Sequence, residues 1–192
     1  LALWKVKENS PAGLGLKLYK KLLSKEPRSI VAVNGINKLH PPLYKALGFK
    51  NIELKCFFML NPDVPQTIIK INQDLKFPEV LNKNNGELRE LDISAIKRIN
   101  NFTHDADNLN KKSIAYLINR YFLNPFYNYR LFSILEQNRC KGIICTRVIT
   151  YEGKMALRIV DFLGSESSIP SIGSSLLNLL KFENLEYADF WQ

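Results

Sequence analysis

The chain has 192 residues, of which 46% are hydrophobic and 23% are charged, a composition typical of one large globular domain or two small ones. No apolar run approaches the roughly 18 residues that cross a bilayer, so we expect no membrane partner. The three cysteines lack CxxC spacing and there are only two histidines, which predicts reduced core cysteines, no metal site and a cytoplasmic location.

The net charge of +9 is unevenly distributed along the chain. Residues 1–61 carry eleven Lys and Arg against three Asp and Glu, whereas residues 62–192 carry sixteen against fifteen. The first third therefore predicts an anionic partner, and phosphate is the simplest candidate, although a solvated lysine-rich surface would carry the same charge. We expect no nucleic-acid partner, because the sequence has no RNA-binding aromatic motif, zinc finger or arginine-rich run.

The first third alternates between strand and helix patterns. Residue 1 is Leu rather than Met and lies within an alternating strand pattern, so we expect a fragment or a trimmed chain. An amphipathic helix is predicted at Leu14–Ser24, with Leu14, Leu18 and Leu22 on one face. The other predicted elements are strands at Leu1–Lys7, Ser29–Val33 and Lys50–Leu60, and a helix at Pro41–Leu47 that ends at Gly48.

After a proline-containing stretch at 61–86, a second series of elements is predicted. Strands are expected at Glu87–Leu91, Tyr129–Glu136, Cys140–Tyr151, Met155–Leu163 and Glu186–Phe190. Helices are expected at Ile93–Phe102, Lys112–Leu123 and Ser171–Leu180, with a polar loop at Gly164–Pro170.

A phosphate-binding arrangement is predicted where the turn Ser10–Gly15 opens the first helix. Glycines let backbone N–H groups approach an anion closely, and a helix N-terminus adds unpaired donors and a positive dipole end. A glycine before a helix is also often only a turn, so this feature leaves both interpretations open.

Two further polar residues follow this turn. Asn37 ends the segment after the next strand, and Tyr44 comes seven residues later. An amide can bond the amide backbone of a ligand, and a tyrosine hydroxyl can donate a proton to a leaving group. Asn37 as a turn former and Tyr44 as a packing residue are the alternatives.

The run VNGINKLHPPLYKALGF at 33–49 resembles the GNAT superfamily pattern V-N-x-x-N-x-x-A-x-x-x-Y-x-x-x-G-F. The upstream SPAGLG at 10–15 resembles the pyrophosphate loop of that family, R/Q-x-x-G-x-G/A. The resemblance implies an α/β (mixed α+β) fold with a splayed mixed sheet flanked by helices. It also implies acetyl transfer from acetyl-CoA, as cosubstrate, to an amine of a small metabolite or amino sugar.

The resemblance also implies roles for individual residues. The backbone of Trp4 and Val6 would pair with the pantetheine arm and polarise the acetyl carbonyl, and Asn37 would hold the pantetheine or position Tyr44. Tyr44 would be the general acid that protonates the CoA thiolate. Ser10 begins the loop where the family usually has Arg or Gln, and Lys7 or Lys17 would supply the missing charge. The N–H groups offered to the pyrophosphate would be those of Gly13, Leu14, Gly15 and Leu16.

The loop-bearing strand is the fourth in this family, whereas here it begins at residue 1. We therefore expect residues 1–61 to be the C-terminal half of a GNAT domain with the CoA pyrophosphate loop. Residues 62–86 would be a linker, and residues 87–192 the N-terminal and middle part of a second GNAT-like domain. The loop Gly164–Pro170 has an acid and no GxG pattern, so the second copy is not expected to bind CoA. A single permuted copy, in which the two halves complete one sheet, is the alternative.

The second region resembles, more loosely, GNAT-like domains encoded with surface-polysaccharide biosynthesis enzymes. The similarity lies in NPFYNYRLFSILEQ and ALRIVDFLG. It implies that Asp161, Arg158 and Glu136 could line an acceptor cleft, whereas Arg158 and Asp161 could equally point to solvent from a strand.

Two other functions are left open by the sequence. One is a non-catalytic GNAT-fold binding or structural module, and the other is aminoacyl transfer from a charged tRNA. A truncated domain also has an exposed strand edge, so we expect the chain either to pair its two halves or to form a homodimer.

Overall fold

A computed structural model describes residues 7, 9–25, 41–70, 86–99 and 112–191 of the chain. The chain divides into two compact units, Leu1–Glu53 and Leu54–Gln192. None of the helices in these described ranges is long and apolar enough to cross a membrane. The strand predicted at Ser29–Val33, and all but the last residue of the one at Leu1–Lys7, lie outside the described residues.

Helix α1 of the first unit spans Leu14–Lys25 and begins where the sequence predicts. It follows Gly13, whose φ of +76° is a conformation that only glycine adopts without strain. The helix has no acidic residue in its first turn, and its lysines are exposed. The predicted basic helix after a glycine turn is therefore confirmed.

The apolar face predicted for α1 is wrong. Leu18 and Leu22 are 53% and 49% exposed, whereas Tyr19 is only 3% exposed. Leu16 and Leu23 flank Tyr19 at helical spacing and are half-buried. The sequence thus contains two apolar faces at helical spacing, and packing in the folded unit selects the one that includes Tyr19.

Helix α2 spans Pro41–Ala46 and ends in a Schellman motif. The glycine at position 48 predicted this helix end. Gly48 has a φ of +84° and donates its N–H to the Lys45 carbonyl at 3.0 Å, while Phe49 donates its N–H to the Tyr44 carbonyl at 3.0 Å. The Phe49 ring contacts Tyr44 edge-on at 5.9 Å between centroids and Tyr19 at 6.1 Å. Phe49 therefore joins α1 and α2.

The described residues of the second unit form a six-stranded sheet in the order β1-β6-β5-β4-β3-β2. Neighbouring strands are antiparallel, except that β5 and β6 run parallel. The mixed α/β class predicted from the sequence is confirmed. The strands are β1 (Cys56–Leu60), β2 (Glu87–Leu91), β3 (Arg130–Glu136), β4 (Arg139–Tyr151), β5 (Lys154–Gly164) and β6 (Tyr187–Trp191).

Two tight turns create the three-stranded meander β3-β4-β5. Gln137 and Asn138 have φ angles of 49° and 60°, and Glu152 and Gly153 have φ angles of 48° and 75°. Positive φ at both central residues is the two-residue hairpin turn whose twist matches that of the strands. The predicted strand limits are confirmed here to within one residue.

Helical segments pack against both faces of this sheet. On one face, α3 (Ile93–Lys97) and α4 (Ile114–Leu117) cover a cluster that includes Leu131 and Ile143. Phe132 and Ile144 belong to another cluster, with Ile172, and α5 (Gly173–Phe182) covers this second face next to Leu157. The two clusters lie on opposite faces because neighbouring strand residues point in opposite directions.

Side-chain caps fix the starts of α3 and α4. Asp92 accepts a hydrogen bond from the Ala95 N–H at 2.6 Å, and Ser113 accepts one from the Tyr116 N–H at 3.1 Å. α4 continues into a π-helical turn at Ile118–Phe122, and α3 is shorter than the predicted Ile93–Phe102 helix within the described residues. The predicted loop Gly164–Pro170 overlaps a 3₁₀ helix at Glu166–Ile172.

Strand β1 lies in the second unit, although the sequence analysis assigned it to the first domain. It pairs with β6 from Cys56–Trp191 to Leu60–Tyr187, and residues 50–55 of the predicted strand are not extended in the sheet. The first residues of the predicted linker are also fixed, since Asn61 is fully buried and donates to the Leu180 and Leu185 carbonyls at 3.2 and 2.9 Å. The limits 1–61, 62–86 and 87–192 stay predictions, but β1 completes the sheet of the second series of elements.

Candidate functional site

The turn before α1 is closed by backbone hydrogen bonds. Ser10 donates its N–H to the Lys7 carbonyl at 3.2 Å, and Leu14 donates its N–H to the Pro11 carbonyl at 3.1 Å. Lys17 then makes the first regular helical bond, to the Gly13 carbonyl at 3.0 Å. Of the four predicted phosphate donors, Leu14 is therefore already engaged within the turn.

The remaining N–H groups of this turn belong to Gly13, Gly15 and Leu16. The N–H groups of the first helical turn have no acceptor within the helix itself. A side chain at Gly13 would meet no atom within 4 Å, so its positive φ, rather than crowding, requires glycine at this position. The turn thus presents open backbone next to exposed lysines, which is suited to an anion.

Tyr44 lies in α2, where it is buried and packs against Phe49. Tyr19 of α1 also contacts the Phe49 ring, and the pKa of Tyr19 is raised by burial and, to a smaller extent, by the neighbouring Tyr44. The packing role of Tyr44 is therefore present in the structure, and its predicted role as a general acid stays a prediction. Trp4, Val6 and Asn37 lie outside the described residues.

A buried polar network lies on the α4 face of the second unit and is centred on Asp161. Its carboxylate accepts hydrogen bonds from Lys112 Nζ, from the Tyr121 hydroxyl at 2.7 Å and from the Tyr116 hydroxyl at 3.4 Å. Asp161 is 8% exposed, so the alternative in which it points from the sheet to solvent is wrong. Burial raises the pKa of Tyr121, and its hydrogen bond to the Asp161 carboxylate raises it further.

The π-helical turn explains how two tyrosines reach one carboxylate. Tyr116 and Tyr121 are five residues apart, a spacing that a π turn, but not a regular α-helix, brings onto one face. The turn is closed by the Leu123 N–H, which donates to the Ile118 carbonyl at 3.0 Å. The sequence pattern predicts an uninterrupted helix at Lys112–Leu123, in which these two tyrosines would not share a face.

Arg158 and Asp189 form a second ion pair, between β5 and β6. The guanidinium approaches both carboxylate oxygens, with Nε–Oδ1 at 2.9 Å and Nη2–Oδ2 at 2.6 Å. This hydrogen-bonded pairing raises the pKa of Arg158. Glu136 is the last residue of β3, at the hairpin. The three residues proposed to line an acceptor cleft therefore differ in position: Asp161 is in the buried network, Arg158 is in the ion pair, and Glu136 is at a strand end.

The parallel pairing of β5 with β6 is short. It runs from Leu157–Ala188 to Ile159–Phe190, and the β4–β5 register then shifts so that Val160 is an extra residue in β5. Beyond this bulge the two strands no longer pair. A bulge bends a strand and ends its pairing locally, and the position where the β5–β6 pairing ends is called the splay here.

The segment after the splay differs from the glycine turn of the first unit. Ser168 and Ser171 donate their hydroxyls to the Ser165 and Ser168 carbonyls at 2.7 and 2.8 Å, which stabilises the 3₁₀ helix. The acid at Glu166 lies in its first turn. This segment therefore places a carboxylate, rather than glycine N–H groups, beside the splay.

A scan against protein-family models gave no match, and a search of curated proteins gave no match.

Proposed function

We propose that this chain is an N-acetyltransferase of the GNAT type, which transfers acetyl from acetyl-CoA to an amine of a small metabolite or amino sugar. The observation that carries the proposal is the turn at Gly13, which opens a lysine-rich twelve-residue helix without an acid in its first turn. A helix N-terminus of this kind favours a bound phosphate through its free N–H groups and its dipole.

In the proposed reaction the neutral amine attacks the thioester carbonyl and the C–S bond breaks. Tyr44 donates its hydroxyl proton to the departing thiolate, and a base or water takes the proton lost by the amine. Asn37 and the backbone of Trp4 and Val6 keep the roles that the resemblance implies. Tyr44 packs edge-on against Phe49, and this contact is compatible with the proposed role.

The topology of the second unit also supports a GNAT-like fold. Its order of strand, two helices, three-stranded meander, helix and a further strand is the order that the resemblance implies for residues 87–192. β1, at the end of residues 1–61, pairs with β6 of residues 87–192 within this sheet. A cytoplasmic location and a homodimer belong to the same proposal.

The 3₁₀ helix at Glu166–Ile172 favours a second candidate for this unit. A carboxylate where a phosphate loop would lie repels a phosphate, so the second unit would be a binding or structural module without chemistry of its own.

The proposal is tested by titrating acetyl-CoA into the full chain by isothermal titration calorimetry, beside the variants Gly13→Ala and Gly153→Ala. The two glycines are matched, with φ angles of +76° and +75° and open space where the Cβ would lie. We expect binding to be weakened in Gly13→Ala and unchanged in Gly153→Ala. Equal effects of both variants, or no binding by the folded wild type, would contradict the proposal.

Catalysis is tested separately with Tyr44→Phe. We expect the rate of acetyl transfer to fall by about 10²-fold or more, with little change in acetyl-CoA affinity, because the general acid is lost. A variant with wild-type activity would show that another group protonates the thiolate.

A further inference from the structure

Arg147 is a cation of β4 that lies on the same face of the sheet as α4. It follows Cys145 by two residues, and Cys145 belongs to the core cluster of that face. The side chain is half-buried, and its Nε is buried without a hydrogen-bond partner. Within the described residues no carboxylate forms an ion pair with it. The guanidinium is therefore partly removed from water without a counter-charge from the described part of the chain.

The Tyr127 ring packs over the Arg147 guanidinium. The guanidinium carbon lies 4.5 Å from the ring centroid. Tyr127 is itself held at two points, since its N–H donates to the Asn124 side chain at 2.9 Å and its ring contacts the Tyr129 ring at 6.1 Å between centroids. A cation–π contact orients the guanidinium, but it supplies no oxygen acceptor to the N–H groups.

A second guanidinium lies on the same face of the sheet. Arg147 and Arg158 are directly opposite each other in the β4–β5 register. Like charges at such cross-strand positions are close together and destabilise the pairing. Arg158 forms an ion pair with Asp189, with Nη2 and Oδ2 at 2.6 Å, so the three side chains carry a formal charge of +1. This excess positive charge favours an anionic group beside Arg147.

The open end of the Arg147 guanidinium has the geometry that an oxyanion requires. Nε is the nitrogen of this side chain that is both buried and unpaired. Nη1 and Nη2 form no hydrogen bond with the other described residues either, so they reach the surface. Their N–H groups lie in one plane and match two oxygens of a carboxylate or a phosphate.

We infer that Arg147 binds an oxyanion, the phosphate or carboxylate group of a ligand, through its two Nη groups. Tyr127 is a positioning residue that keeps the guanidinium in place. The partial burial of the guanidinium strengthens its attraction for an anion, because the effective dielectric constant is lower there than in bulk water. The site uses no residue of the first unit, so it stands apart from the proposed acetyl-CoA turn.

The test is two-dimensional proton–nitrogen NMR of the arginine Nε–H groups in the full chain, titrated separately with inorganic phosphate, benzoate and benzamide. Benzamide has the shape of benzoate without its charge. Arg139, an exposed arginine of the same strand, is the internal control. We expect a saturable shift of the Arg147 signal with phosphate, with benzoate or with both, and none with benzamide. Saturation by phosphate alone identifies a phosphate group as the ligand, and saturation by benzoate alone identifies a carboxylate.

Three variants sharpen this test, with binding followed on the backbone N–H of Tyr127. Arg147→Gln should weaken binding of the anion by about tenfold or more, because charge-assisted hydrogen bonds are lost. Arg147→Lys keeps the charge without the planar fork and should have an intermediate affinity. Arg139→Gln should leave the affinity unchanged. Circular dichroism checks that each variant is folded, and the titration of the wild type decides the matter if Arg147→Gln is not.

Several results would overturn the inference. They are the absence of a saturable Arg147 shift with both anions, an equal shift with benzamide, and equal saturation of the Arg147 and Arg139 signals. Loss of acetyl-CoA binding in Arg147→Gln would also overturn it, because Arg147 would then belong to the acetyl-CoA site. An acetyl-CoA affinity that Gly13→Ala leaves unchanged would contradict the proposed function but not this inference, so the two proposals fail separately.

Discussion

The two units differ in where they bury side chains and where they expose backbone. In the described part of the first unit the buried residues are Tyr19 and Tyr44, joined by Phe49, while the turn at Gly13 leaves backbone open beside lysines. The second unit has core clusters on both faces of its sheet and buries whole polar networks within them. The turn predicted to bind phosphate therefore lies in the unit with fewer buried side chains. Most of the stabilising contacts lie in the second unit.

The largest effect on stability is expected from the core of the second unit. Leu157 is fully buried against α5, so Leu157→Ala should lower the free energy of unfolding by about 2–5 kcal/mol through lost burial and a residual cavity. Urea denaturation followed by circular dichroism measures this change. Leu123→Ala, at an exposed position, is the matched control and should change little. Equal effects of the two variants would contradict the expectation that buried side chains of the second unit stabilise the fold more than exposed ones.

A smaller loss is expected at Glu186, whose buried carboxylate accepts the N–H groups of Thr67 and Ile68 at 2.8 and 2.9 Å, and the Thr67 hydroxyl. Glu186→Gln should lower the free energy of unfolding by about 2–3 kcal/mol, as hydrogen bonds to a charged group are lost. Glu87→Gln, on the exposed side of β2, is the control. If the two variants lose equal stability, the carboxylate does not anchor residues 61–70.

The same carboxylate predicts a pH dependence. Burial by itself would raise the pKa of Glu186, but the hydrogen bonds from Ile68 and Thr67 outweigh it and lower the pKa below the ordinary value of 4.5. A carboxyl with a lowered folded pKa stabilises the fold above about pH 4.5, and this contribution is lost as the pH falls through the folded pKa. Unfolding free energies measured across this range should fall less steeply in Glu186→Gln than in the wild type; parallel curves would contradict the assignment.

An effect of about 1–2 kcal/mol is expected for Tyr121→Phe, which leaves the buried Asp161 without its 2.7 Å hydrogen bond. Tyr151→Phe, which changes a mostly exposed ring in β4, should have no measurable effect in the same denaturation assay. A neutral Tyr121→Phe would show that Lys112 and Tyr116 suffice to satisfy the carboxylate.

The smallest effect is expected on α1 of the first unit. Leu18→Ala should change the free energy of unfolding by less than about 0.5 kcal/mol, because this side chain is half exposed. A loss of more than about 1.5 kcal/mol would mean that another surface covers this face. If that loss of stability depended on protein concentration, and sedimentation showed self-association, the covering surface would be a second copy of the chain.

Local signals predicted much of the fold. Asn138 and Gly153 lie in turns whose positive φ angles end one strand and start the next, and Gly48 ends α2 in the same manner. The turn before α1 also has a glycine with positive φ, which is why the start of α1 at Leu14 was predictable. In each case the conformational preference resides in one or two residues and needs no distant partner.

The sequence did not predict the polar networks, since their members are far apart along the chain. Asp161 meets Lys112 and Tyr121 only after β5 and the π-helical turn are brought together. Glu186 likewise meets Thr67 across the whole second series of elements, in a segment that composition alone suggested was a linker. Such pairs leave no periodic or local pattern in the sequence.

The sequence by itself determined the meander, the starts of α1, α2 and α3 and the basic character of the first third, because each depends on residues close together in the chain. Only the tertiary structure decided which face of α1 is buried, that β1 joins the sheet of the second unit, and that Asp161 meets Lys112 and Tyr121 in a buried network. The reason is physical: burial and ion pairing depend on which surfaces meet, and those surfaces come from residues that sequence spacing does not relate.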